Sequence, residues 1–116
     1  MNRRRLACCA SLLVLLAPGQ LLAGLTVNSR SASQFWIVRR DLMVNLQAPN
    51  EQALGRMIGG ENSPYGPHAI NSSIGAKIGA AFVVFPACGP NRQIKPENRQ
   101  VTPRVAANTI INVECN

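Results

Sequence analysis

The run of five consecutive apolar residues from Ala81 to Phe85 constrains the fold more than any other feature of this sequence. Small residues precede the run and Pro86 follows it, so it has the length and the boundaries of a short strand. A strand without polar alternation is typical of a sheet that is covered on both faces. We therefore expect a buried strand here, with a buried helix as the alternative.

The same region suggests a second alternative, a membrane-active segment over residues 74–87. Gly75 and Gly79 are four residues apart in an otherwise apolar stretch, which is typical of helices that pack closely in membranes. However, Lys77 interrupts the stretch, and the apolar run is shorter than the roughly 20 residues that span a bilayer. The buried strand is the favoured interpretation.

The beginning of the chain has the organisation of a secretory signal peptide. Residues 1–5 include three arginines, residues 6–17 are apolar, and residues 20–24 end in small side chains. The apolar stretch is again shorter than a spanning helix needs, so cleavage is favoured over a membrane anchor. The sequence thus predicts a signal peptide over 1–24 and an exported domain over 25–116, secreted or periplasmic.

The charge of the predicted mature domain is modest. Removal of residues 1–24 leaves nine of the 12 basic residues and all five acidic ones, a net charge of about +4, which favours solubility and attracts anionic surfaces only weakly. The basic residues are scattered, Arg39 and Arg40 being an adjacent pair, and aromatic residues are few. This pattern does not favour nucleic acid as a partner. Contact with a membrane surface is compatible with it.

Cys88 and Cys115 are the two cysteines that remain after the predicted cleavage. An even number in an exported chain predicts a disulfide bond, which would close a loop of about 27 residues and stabilise the domain by about 3 kcal/mol. With His68 as the single histidine, no tetrahedral metal-ligand set is completed. No metal and no cofactor are therefore expected.

Hydrophobic periodicity predicts the remaining elements. Alternation favours strands over 25–29, 35–47 and 105–115, the second with a bend near Arg39 to Asp41 and with a helix as its alternative. Apolar spacing over 50–60 favours a short helix that Gly59 would end in the left-handed conformation, although Gly55 weakens it. The predicted fold is mainly β, or α+β: a small single domain with an antiparallel sheet, one short helix and one disulfide.

Two polar segments, 59–73 and 89–104, are rich in turn-forming residues and predict long surface loops. Loops of this length are often functional. The first segment carries one tyrosine and the single histidine, and the second carries several basic residues. The candidate contact residues are Tyr65, His68, Arg92, Lys95 and Arg99. The alternatives are that the aromatic pair packs its loop onto the body and that the cations form a solvated face.

Catalytic motifs are scarce in this sequence. It contains no GxSxG, HExxH, GxGxxG or phosphate-binding GxxxxGK[ST] pattern. The favoured function is therefore a non-enzymatic binding or assembly protein of the cell envelope or extracellular space, with another protein there as partner. Two alternatives are a cationic toxin or bacteriocin-like protein that inserts residues 74–87, and a small hydrolase that uses His68 as a general base.

Overall fold

The computed structural model of the protein describes residues 22–89 and 93–116. Within these ranges the chain forms eight strands, one α-helix and two short 3₁₀-helices. The strands are β1 (Leu22–Asn28), β2 (Gln34–Arg39), β3 (His68–Ala69), β4 (Ser72–Lys77), β5 (Phe82–Cys88), β6 (Gln93–Ile94), β7 (Gln100–Val101) and β8 (Thr109–Asn112). The helices are α1 (Glu51–Ile58), η1 (Arg40–Asn45) and η2 (Pro96–Asn98). The predicted small, mainly β domain with one short α-helix is confirmed.

The first sheet has the strand order β4-β1-β8. β4 runs antiparallel to β1, with Leu25 opposite Ile74, and β8 runs parallel to β1, with Val27 opposite Ile111. The strand predicted from Leu25 is present and begins three residues earlier. Residues 22–24, the end of the predicted signal peptide, pair with residues 75–77 of β4. The rest of that segment, residues 1–21, lies outside the described residues.

The second sheet is built around the antiparallel pair of β2 and β5. β3 pairs with β2 at one edge, and the short strands β6 and β7 pair with β5 at the other. Every residue of β5 is buried, so the predicted buried strand is confirmed. The sequence suggested that this strand would end at Pro86, but the strand continues to Cys88. The strand passes through Pro86 between the residues that pair with β7 and those that pair with β6, where the missing N–H is tolerated.

The alternating side chains of β5 separate two hydrophobic cores. Phe82 and Val84 face the first sheet, whereas Val83, Phe85 and Ala87 face α1. The domain therefore has three layers: the first sheet, the second sheet and the helix. The core between the sheets, called here the inter-sheet core, contains Leu25, Val27, Phe35, Ala76, Phe82, Val84, Val105, Ile111 and Val113. The core under α1, called here the helix-side core, contains Trp36, Val38, Leu54, Ile58, Val83, Phe85 and Ala87.

The segment 35–47 is only partly a strand. β2 ends at Arg39, and the next six residues form η1, which contains no buried residue. The backbone N–H of Arg40 donates to the carbonyl of Ala81, 2.9 Å away, and η1 begins there. The predicted bend at 39–41 is therefore where the strand ends. The apolar alternation beyond it was misleading, because Leu42 and Val44 are exposed.

Helix α1 begins after Asn50, whose side chain accepts a hydrogen bond from the backbone N–H of Ala53 at 2.8 Å. Leu54 and Ile58 bury the inner face of the helix. Gly59 ends it, but with φ −78° and ψ 177°, so the predicted left-handed conformation is wrong. Gly55 is explained by close packing: an added Cβ would lie 3.4 Å from the carbonyl oxygen of Ile94 in β6.

Of the last predicted strand, 105–115, the structure contains only β8. The buried positions were predicted correctly, because Val105, Ile111 and Val113 are all buried. The residues before β8 turn at Asn108, which has a positive φ of 62°. The predicted disulfide between Cys88 and Cys115 is confirmed, with a Cα–Cα distance of 5.8 Å. It joins the end of β5 in the second sheet to the residues just after β8 in the first.

Candidate functional site

Tyr65 lies in the turn before β3, where its side chain packs against the helix-side core. Its backbone is held on both sides: the carbonyl accepts from the N–H of Ile37 at 2.9 Å, and the N–H donates to the hydroxyl of Ser63 at 3.1 Å. Ser63 in turn donates its hydroxyl proton to the carbonyl of Ile58 at the end of α1. This loop is thus fastened to both β2 and the helix.

His68 lies at the edge of the second sheet, in β3, opposite Phe35. The two rings are 5.2 Å apart between centroids. Partial burial lowers the pKa of His68 below 6.5, while a hydrogen bond with the backbone of Tyr65 acts in the opposite direction. Burial thus favours the neutral imidazole, whose ring lies against Phe35 of the inter-sheet core.

Lys95 and Arg99 flank η2 and are exposed, and Arg92 lies outside the described residues. The guanidinium of Arg99 binds the carboxylate of Glu51 at 2.9 Å and donates to the carbonyl of Pro96 at 3.2 Å. Arg99 therefore ties η2 to the start of α1. His68 and Lys95 lie near opposite edges of the second sheet, three strand spacings or about 14 Å apart. The four predicted residues that the structure describes are not gathered into one cluster.

The two predicted loops nevertheless meet at a single groove of about 1070 Å³. Residues 59–61 and Pro67 of the first loop line it, as do Gln93 and Ile94 of the second. The loops approach closely because Gly59 has no side chain: an added Cβ would lie 3.1 Å from Cδ1 of Ile94. We call this feature the amide groove, since its polar lining includes Gln34, Gln52 and Gln93.

The floor of the amide groove is a buried tryptophan that is held by a hydrogen bond. Trp36 lines it but is only 3% exposed, and its indole N–H donates to the carbonyl of Gly60 at 3.2 Å. Arg56 and Glu61 add one charge of each sign to the lining. Amide side chains both donate and accept hydrogen bonds, so the groove suits a ligand with alternating donors and acceptors, such as an extended peptide backbone. His68 is not among the lining residues.

Sequence reasoning missed most of this groove. Its glutamines come from β2, α1 and β6, and they carry no motif or spacing that marks them in the sequence. The segments predicted as long surface loops do border the groove, but they are not loops throughout. They contain the short strands β3, β6 and β7, the helix η2 and the start of β4. The one available signal was Trp36, a large residue at the start of a predicted strand.

A second cavity, of about 630 Å³, lies where β2 ends. Its lining combines four cations with the single carboxylate of Asp41, and we call it the basic pocket. The cations are Arg39, Arg40, Lys77 and Arg104. Only the adjacent pair Arg39 and Arg40 was visible in the sequence, where it marked a bend. The tertiary structure brings in Lys77 from β4 and Arg104 from the loop after β7.

Within the described ranges, no group of three or more His, Cys, Asp and Glu side chains is arranged to hold a metal ion. The described part of the chain also contains no helix with the length and hydrophobicity needed to cross a membrane. Comparison with protein-family models, with curated proteins and with solved structures finds no match to this chain.

Proposed function

We propose that the protein is a non-enzymatic binding or assembly module, exported to the cell envelope or extracellular space, that holds a segment of a partner protein in the amide groove. The Cys88–Cys115 disulfide is compatible with an oxidising, exported setting. The proposed location rests on that bond and on the signal-peptide pattern of residues 1–24.

One observation carries the proposal: two segments that are distant in the sequence border one groove, and its floor is the buried, hydrogen-bonded Trp36. Trp36 and its hydrogen bond to Gly60 position the first loop, and the ion pair between Arg99 and Glu51 positions the second. A groove of this kind is largely formed before the ligand arrives, which reduces the entropy lost on binding. The amides then supply hydrogen bonds that fix the orientation of the ligand.

The two other functions have less support in the geometry. A membrane-inserting role for residues 74–87 would require β5 to leave the protein, because all seven of its residues are buried between the two cores. A hydrolase would use His68, but its ring packs on Phe35 outside both cavities. A binding role uses the folded structure as it is.

Site-specific photo-crosslinking in the native compartment tests the proposal. A photoreactive residue placed at Gln52 or Gln93, both exposed on the amide groove, should give one discrete adduct with a partner protein. The matched control is the same residue at Asn112, which is exposed on β8 in the first sheet. Adducts that form equally at Asn112, or none at either groove position, would contradict a role for this groove.

A further inference from the structure

The basic pocket concentrates positive charge that the proposed binding role does not use. Four cations from three separate parts of the chain line it, against the single carboxylate of Asp41. Asp41 is already bound by a terminal nitrogen of Arg39 at 2.6 Å. Cations placed close together repel one another, and an anion bound between them offsets this repulsion. The pocket is therefore complementary to a negatively charged group.

The arginines give a more specific indication. Arg39, Arg40 and Arg104 all line the pocket. An arginine donates through several N–H groups in a fixed fork, which matches the oxygens of a phosphate. The guanidinium groups of the pocket therefore suit a phosphate.

Exposed aliphatic side chains surround the same end of the molecule. Leu42 and Val44 project from η1, directly after Arg40, and Val44 is 77% exposed. Ile78 lies on the wall of the pocket and is 44% exposed. We call Leu42, Val44 and Ile78 the apolar rim.

We propose that this end of the domain docks on the surface of an anionic bilayer, with a lipid phosphate in the basic pocket and the apolar rim in the interfacial region. A free phosphate would use the cations but not the exposed aliphatic side chains. A lipid surface uses both, because interfacial binding combines apolar burial with attraction to anionic headgroups. The mode is peripheral and leaves β5 in the core.

The amide groove and the basic pocket do not share a lining residue. A protein partner and a lipid surface could therefore be held at the same time. The docking surface does not depend on the proposed function, and its test uses different residues.

Vesicle sedimentation of the exported, oxidised protein tests the docking. We expect binding to vesicles that contain phosphatidylglycerol, weak binding to pure phosphatidylcholine, and a loss of binding at high salt. The double variant Arg40→Gln/Arg104→Gln should lower the partition coefficient by about 25-fold, about fivefold for each cation removed near an anionic surface. Val44→Ser should lower it by about threefold through lost apolar burial.

The matched control is Arg30→Gln/Lys95→Gln, which removes the same charge from exposed positions outside both the basic pocket and the amide groove. It should bind almost as well as the wild type, and circular dichroism should show all variants folded. An equal loss of vesicle binding in this control would show that binding depends only on the overall charge of the protein. That result would overturn the docking surface. Full binding by Val44→Ser would overturn the role of the rim.

Two further measurements distinguish a lipid phosphate from a soluble phosphate, and peripheral binding from insertion. Inorganic phosphate measured by calorimetry should bind only weakly, and tight phosphate binding without vesicle binding would overturn the lipid assignment in favour of a soluble anion. Dye-loaded phosphatidylglycerol vesicles should remain sealed. Release of dye would contradict peripheral docking and support insertion of residues 74–87.

Discussion

At the scale of single residues, the carboxylate of Glu114 makes the densest set of polar contacts described in the domain. Its Oε1 accepts hydrogen bonds from the hydroxyl of Ser31 at 2.7 Å, from the backbone N–H groups of Arg30 and Ser31, and from the hydroxyl of Ser29. Cys115 follows it, and its N–H donates to the hydroxyl of Ser31 at 2.8 Å. These bonds fasten the end of the chain to the turn between β1 and β2.

The hydrogen bond from the Ser31 hydroxyl, followed by that from the Arg30 N–H, lowers the pKa of Glu114 from 4.5 to about 2. Because the folded state favours the ionised form, this group stabilises the protein above pH 4.5, and the contribution is lost as the pH falls towards 2. Glu114→Gln should therefore be less stable than the wild type at neutral pH, and the difference should shrink across that window.

Urea unfolding at several pH values between 4.5 and 2 measures this. The control is Glu97→Gln, which removes an exposed carboxylate from η2. A difference between Glu114→Gln and the wild type that stays constant with pH would refute the assigned role of the carboxylate.

Gly66 is required by the backbone conformation and by close packing, and no sequence motif indicated this. Its φ is +153°, and an added Cβ would lie 2.9 Å from the carbonyl oxygen of Phe35 and 3.0 Å from Cδ1 of Trp36. Gly79 also has a positive φ, of +88°, but an added Cβ would meet nothing within 4 Å.

Gly66→Ala should consequently lower the thermal midpoint more than Gly79→Ala, since both variants strain the backbone and only the first also collides with its neighbours. Differential scanning calorimetry of the two variants provides the comparison. Equal losses would mean that the turn at Gly66 relaxes away from β2 without cost.

At the scale of elements, β5 is the strand on which the architecture depends. Its side chains serve both cores in alternation, and its two edges pair with β2 on one side and with β6 and β7 on the other. By contrast, β8 is an edge strand of the first sheet with one outward apolar side chain, Ile110, which is 61% exposed.

Phe85→Ala should destabilise the domain by about 3–5 kcal/mol, because it leaves a cavity in the helix-side core where the ring is fully buried. Ile110→Ala, which removes a solvent-exposed apolar side chain, should change the free energy of unfolding by less than about 0.5 kcal/mol. Chemical denaturation of both variants measures the contrast. Similar losses would show that β8 packs against something in solution.

At the scale of the whole molecule, the disulfide links layers rather than neighbouring strands. Cys88 ends β5 in the second sheet, and Cys115 follows β8 in the first. The sheets otherwise contact each other through the inter-sheet core. The bond closes a loop with a sequence separation of 27 residues, so it restricts the unfolded chain as well as joining the layers.

The double variant Cys88→Ser/Cys115→Ser should lose about 3 kcal/mol of stability relative to the oxidised wild type. The reduced wild type should unfold at nearly the same urea concentration as the variant, which provides the control for effects of the serine side chains. If the variant and the oxidised wild type unfold together, the bond contributes nothing to stability. A domain of this size would then rely on its two cores alone.

The sequence by itself determined the local features of this protein. The apolar run at Ala81 to Phe85 identified the central strand, the apolar spacing over 50–60 identified α1, and the two cysteines identified the disulfide. Each of these rests on short-range chemistry: hydrophobic periodicity, or an even number of thiols in a chain predicted to be exported. Local patterns of this kind can be recognised in the sequence without knowing which other elements pack against them.

Only the tertiary structure decided the parallel pairing of β8 with β1, the end of β2 at Arg39, and the meeting of distant side chains. The amide groove joins glutamines from three elements, and the basic pocket joins Arg39 and Arg40 to Lys77 and Arg104. Polar surface residues carry no periodic signal, because solvent accepts them almost anywhere. Their grouping depends on strand order and on how the layers stack, which single-strand patterns do not encode.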